Sequence, residues 1–138
     1  MPHLVLSGKT FSISDKQHEI YGDDDSVLDV VCFKEGRYEL IILNEGEVAK
    51  SLSIIDTTRN QVVESKAAVN KNTKYDFPIY LFDHEIDKLE NTRNITFPFS
   101  VQYYDKYGKK YEFSITVEIY GDPEHLNFYY VSIKRYAE

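Results

Sequence analysis

Residues 95–120 read Ile-Thr-Phe-Pro-Phe-Ser-Val-Gln-Tyr-Tyr-Asp-Lys-Tyr-Gly-Lys-Lys-Tyr-Glu-Phe-Ser-Ile-Thr-Val-Glu-Ile-Tyr. Apolar side chains fall at every second position. Phe97, Phe99, Val101 and Tyr103 form one series, and Tyr111, Phe113, Ile115, Val117 and Ile119 form the next. Period two is the period of a strand with one buried face. Glu112, Ser114, Thr116 and Glu118 supply the solvated face. Asp105-Lys106-Tyr107-Gly108 lies between the two series and predicts a hairpin loop, with Gly108 in the left-handed conformation. In this register Tyr103 and Tyr111 point inward and Tyr104 outward. A slip of one residue would reverse both.

The rest of the chain repeats this pattern. Tyr38, Leu40 and Ile42 share a face, with Ile41 and Leu43 on the other, which predicts a central strand covered on both sides. Leu4–Leu6 and Phe11–Ile13 read as short strands around Ser7-Gly8-Lys9, before a polar stretch ending at Gly22-Asp23-Asp24-Asp25. Val27–Phe33 is an apolar run closed by a Glu35-Gly36 turn. Asn44-Glu45-Gly46 breaks the central strand, because Asn and Gly tolerate positive φ. Further strands are expected at 48–56, 61–65, 74–82 and 126–134. Pro78 assigns the 74–82 strand to an edge or a bulge, since it lacks a backbone donor. Residues 83–91 admit a helical turn capped by Asp83, with Ile86 and Leu89 inward. Short strands separated by turns predict an all-β, antiparallel sandwich of about seven to nine strands, with residues 1–138 as one domain.

Composition supports this reading. The 138 residues include 12 Tyr and 8 Phe but no Trp, residues suited to half-buried pleated surfaces. The formal net charge of −7 argues against nucleic acid and anionic lipid as partners. One cysteine, Cys32, excludes an internal disulfide, and its apolar neighbours predict a buried, inert thiol. No stretch approaches the ~18–20 apolar residues of a membrane span. Met1–Leu6 lacks the basic and long apolar regions of a secretory leader.

No catalytic constellation emerges. His3, His18, His84 and His125 are scattered, so no zinc spacing exists and no cofactor is expected. Asp23, Asp24 and Asp25 are calcium-ligand candidates by oxygen chemistry alone, without the glycine and alternation of a helix–loop–helix calcium loop. Asp56, Asp105 and Asp122 sit at strand ends. No serine or cysteine lies in a nucleophile elbow, and the glycines are isolated. The tyrosine-rich final third offers a contact surface, with Tyr104, Tyr107 and Asp105 as candidate ligand-binding residues.

Two segments carry a resemblance. Asn44-Glu45-Gly46-Glu47-Val48-Ala49, after the strand Tyr38–Leu43, resembles the strand–Asn-x-Gly-x-x-Ala–strand segment of immunoglobulin-like domains related to CARDB adhesion modules. Tyr103-Tyr104-Asp105-Lys106-Tyr107-Gly108-Lys109-Lys110-Tyr111 resembles a hairpin recurring in uncharacterised prokaryotic proteins, often behind a membrane anchor. The resemblance implies an immunoglobulin-like sandwich and no catalytic residues. The expected function is a non-enzymatic interaction module, with a protein or small ligand as partner. Two alternatives stand beside it. One is a small-ligand or carbohydrate receptor using exposed tyrosines, and the other a structural component of a phage or cell surface.

Overall fold

A computed structural model describes residues 1–136. Eight strands and one helix follow in the order β1 (Leu4–Tyr21), β2 (Val27–Asn44), β3 (Ala49–Asp56), β4 (Gln61–Val69), β5 (Thr73–Leu81), α1 (Asp83–Thr92), β6 (Asn94–Tyr104), β7 (Lys110–Gly121) and β8 (Tyr129–Tyr136). They form two antiparallel sheets, one of order β1-β2-β5 and one of order β4-β3-β6-β7-β8. The fold is therefore the expected all-β antiparallel sandwich.

The alternation of residues 95–120 builds its centre. Ile95, Phe97, Phe99, Val101 and Tyr103 from β6 are buried, as are Phe113, Ile115, Val117 and Ile119 from β7. The two strands pair without a break from Asn94↔Tyr120 to Tyr104↔Lys110. Tyr38, Leu40 and Ile42 of β2 close the core from the opposite sheet. The Tyr38 and Phe97 rings bridge the layers at 6.3 Å. β2 is central in its sheet, and β5 is an edge strand, as Pro78 requires. At the other edge β1 meets β8, where the Arg135 guanidinium donates to the Leu4 carbonyl at 3.1 Å and Phe11 meets Tyr129 edge-on at 5.5 Å.

Three expectations for the strands and turns of the first half need correction. Residues 4–21 are one strand with a register shift between Lys9 and Ser12, rather than two short strands and a loop. Glu35-Gly36 is not a turn; β2 runs straight through it, and Gly36 is a close packing point whose Cβ would lie about 3.2 Å from Ile86 and Phe11. The bend at Asn44-Glu45-Gly46 does not use positive φ at any of the three. Asn44 makes it instead: its buried side chain accepts from the His3 and Gly46 amides and donates to the Glu47 and Val69 carbonyls. Gly46 is needed because a Cβ there would overlap the Met1 carbonyl.

The helix is longer than one turn, and Asp83 is its first residue rather than its cap. Phe82 holds the cap position, and the Glu85 carboxylate accepts the Phe82 amide at 2.8 Å. This is the reach-back half of a capping box, which satisfies a donor the helix cannot. Ile86 and Leu89 are buried, as their spacing predicts. The helix ends where Arg93 turns left-handed at φ 63°, its amide bonding to the Leu89 carbonyl. The Arg93 guanidinium then donates to the Leu126 and Asp122 carbonyls and holds the loop before β8.

Candidate interaction surfaces

The predicted hairpin loop forms around Asp105. Its Oδ1 accepts the Tyr107 and Lys109 amides, both at 2.9 Å, and its Oδ2 accepts the Tyr111 hydroxyl at 3.3 Å. Burial pushes this carboxyl up. The Lys109 and Tyr107 amides, the Tyr111 hydroxyl and the Lys109 charge together bring it below the usual aspartate range. Gly108 takes φ +83° as expected. Tyr103 is buried and stacks on the half-buried Tyr111 at 5.4 Å. Tyr104 faces outward at 37% exposure, and Tyr107 stands in solvent at 82%, its ring 5.1 Å from the Lys106 ammonium. Asp105 is thus occupied by its own turn, and no ring contact joins Tyr104 to Tyr107 among the described residues.

Asp23, Asp24 and Asp25 lie at the tip of the β1–β2 hairpin. Asp24 accepts both the amide and the hydroxyl of Ser26, and these bonds hold its carboxyl below the usual range. Asp25 sits at φ 62°. Among the described residues no three His, Cys, Asp or Glu side chains converge as metal ligands. Asp122 likewise caps its own turn, accepting the Glu124 and His125 amides and the Tyr130 hydroxyl.

One end of the sandwich holds a polar cluster that the sequence reading did not assemble. The Arg59 guanidinium reaches the Glu85 carboxylate at 2.6 Å and Asp56 at 3.4 Å, and lies over the Phe82 ring at 3.9 Å. It ties the β3–β4 turn to the start of α1, with Asp56 and Glu85 both buried. Behind it the Tyr38 hydroxyl is buried without a hydrogen-bond partner among the described residues. Burial, and then the Glu85 and Asp56 charges, push that phenol far up, so it stays neutral. Arg59, Glu85 and Tyr38 are far apart in sequence, and no motif links them.

The largest departure from expectation is the distal half of the β1–β2 hairpin. β5 leaves β2 at the pair Gly36↔Leu81, and beyond that point β1 and β2 continue alone from Ser14↔Glu35 to Tyr21↔Val27. Every described side chain from Ser14 to Tyr21 and from Ser26 to Lys34 is exposed, so a two-stranded ribbon projects from the sandwich. Its apolar residues are Ile20, Tyr21, Val27, Leu28, Val30, Val31 and Phe33. Cross-strand pairing puts Phe33 with Lys16, Val31 with His18 and Ile20 with Asp29 on one face. Cys32 pairs with Gln17 on the other face and is exposed, contrary to the buried thiol expected from its neighbours. The apolar run 27–33 signals burial, but no second layer among the described residues covers it.

No helix among the described residues is long and apolar enough to cross a membrane. Comparison of the chain with protein-family models, curated proteins and solved structures finds no match in any of the three.

Proposed function

We propose that this chain is a non-enzymatic interaction module built on an immunoglobulin-like sandwich, with the β1–β2 ribbon as its contact element. The ribbon carries the reading. An isolated two-stranded hairpin is marginal in water, and long exposed edges invite pairing with another chain. Here such an edge runs from Val27 to Glu35 and bears apolar side chains on both faces. The Asn44 hub and the Asp105 turn support the immunoglobulin-like and CARDB-like resemblance as determinants of fold; neither carries chemistry. The carboxylates of Asp24, Asp105 and Asp122 are engaged in local turns, and those of Asp56 and Glu85 in the Arg59 cluster, which supports binding over catalysis.

The projecting ribbon also favours a second reading, a building block of a phage or cell-surface assembly, because arms of this kind join copies or neighbours. Both readings are tested by a photo-crosslinking residue at Phe33 and, as a control, at Ser114 on the outer face of the other sheet. Adducts in native extract from Phe33 but not from Ser114 are expected. Adducts from neither position, or from Ser114 alone, would overturn the ribbon as the contact element.

A further inference from the structure

We infer that the ribbon's occupant is a second copy of this chain, joined β2 edge to β2 edge and antiparallel about a two-fold axis near Val30 and Val31. This rests on the reading of the ribbon as the contact element. Three observations select the partner.

The first is the lane that β5 vacates. β5 runs antiparallel to β2 and pairs with it only as far as Gly36↔Leu81, after which the chain turns into α1. A second β2, running antiparallel to the first, enters the same lane in the same direction as β5 and continues it. The two ribbons then make one four-stranded antiparallel sheet, which satisfies the open amides and carbonyls of Val27–Phe33 on both copies.

The second is charge. Glu19, Asp23, Asp24, Asp25 and Asp29 crowd the distal part of the ribbon without a lysine or arginine, while the base carries both signs, Lys16, Lys34 and Arg37 beside Asp15 and Glu35. Parallel ribbons would stack the two acidic tips. The antiparallel arrangement separates them by the ribbon's length and lays each near the other's base. Lys34 and Arg37 are themselves exposed and pair at the surface with Glu90 and the half-buried Glu39, so both can also reach a partner's acids.

The third is the apolar character of the edge. Of the seven exposed apolar side chains, Val27, Leu28, Val30, Val31 and Phe33 belong to β2 itself, from Phe33 at 40% to Leu28 at 69%. Edge pairing covers the flanks of these side chains on both copies and leaves the two faces open, a contact below the ~1,000 Å² of a tight interface and suited to a weak, reversible dimer. A two-fold axis perpendicular to the sheet keeps each face on its own side, so Val27–Phe33 of one copy meets the same segment of the other; centred at Val30, the axis sets Val30 beside its own copy and Val27 beside Phe33.

The test is sedimentation equilibrium from about 1 µM to about 500 µM, the range over which mass action moves a weak dimer. It is joined to crosslinking through the native Cys32. In antiparallel registers centred at Val30 or Val31 the two Cys32 residues are offset by two to four positions, so a bismaleimide with a spacer of about 13 Å spans them. The expected result is a reversible dimer with a Cys32–Cys32 crosslink. Val31→Lys should weaken it about tenfold or more, since an edge lysine opposes pairing, with no change in monomer unfolding. A second variant replaces residues 16–33 by Asn-Gly and should be a folded monomer. A dimer that survives both variants, or a wild-type monomer over the whole range, overturns the inference. In the latter case, selective adducts from Phe33 would still uphold the ribbon as a contact element for a different chain. If neither Phe33 adducts nor a dimer is found, both readings fall.

Discussion

At the scale of single residues, Tyr38 is the most unusual side chain. It lies fully inside the sandwich, packed on Phe97, yet its hydroxyl finds no partner among the described residues beside the Asp56–Arg59–Glu85 cluster. A buried polar group without a hydrogen bond costs about 1–3 kcal/mol, and deleting it together with its need for a partner is neutral or favourable. Tyr38→Phe keeps the ring and its stacking and removes only the oxygen. The variant should therefore be as stable as the natural chain or more stable by about 1 kcal/mol. Urea denaturation at neutral pH measures this. A loss above about 1 kcal/mol would mean that the hydroxyl is bonded to something in solution, such as a water held between the two carboxylates. Asn44 is the opposite case. Its four bonds join the N-terminal segment, the end of β2 and the end of β4, so its burial is fully compensated.

At the scale of elements, the β6–β7 hairpin was readable residue by residue. Its alternation gave the inward set, its loop gave Gly108, and the structure keeps Tyr103 buried and Tyr104 outward. The hairpin also carries a pH signature. The Asp105 carboxyl lies below the usual aspartate range in the folded chain. A group with a depressed folded value contributes stability that is present above its unfolded value, near 3.9, and is lost as pH falls through the folded one. Asp105→Asn can still accept the Tyr107 and Lys109 amides through its carbonyl oxygen but carries no charge. The stability gap between the two proteins should thus be constant near neutrality and shrink as pH drops below about 4. A gap that widened on acidification would reverse the assignment. The β1–β2 hairpin was less readable for a physical reason. Period two identifies a strand but not whether a second layer covers it, and the run Val27–Phe33 looks like core until the partner layer is known to be missing. Gly36 misled in the same way: glycine marks turns, but it also marks close packing inside a strand, and here Phe11, Ile86 and Leu81 crowd it. The Arg59 cluster was illegible because its members meet only after β3, β5 and α1 are assembled.

At the scale of the whole molecule, the chain divides into a sandwich and a ribbon that differ in what holds them. The sandwich buries Tyr38, Leu40, Ile54, Val101, Ile115 and their neighbours between two sheets. The ribbon is held by its own cross-strand bonds and, at its base, by the Lys34–Glu90 ion pair to α1. Amides of the sandwich should exchange with solvent mainly through global unfolding, which costs about 5–15 kcal/mol in a domain of this kind. Ribbon amides need only local opening, and a two-stranded hairpin in water resists that weakly. In dilute monomer, residues 16–33 should therefore exchange orders of magnitude faster than Val101 or Ile115. The pattern within β2 is sharper still. Along an antiparallel strand, successive residues direct their amides alternately to one side and the other. Between Asp29 and Phe33 one set bonds to β1 and the other faces the open edge. Concentrating the protein should add protection chiefly to the second set, giving a period-two change along β2 and little change on β1. Exchange followed by magnetic resonance at two concentrations reads this directly. Uniform protection of both strands in dilute solution would mean that the ribbon folds as one cooperative unit with the sandwich. Added protection on β1 rather than β2 would place the contact on the wrong edge for pairing in the lane that β5 leaves.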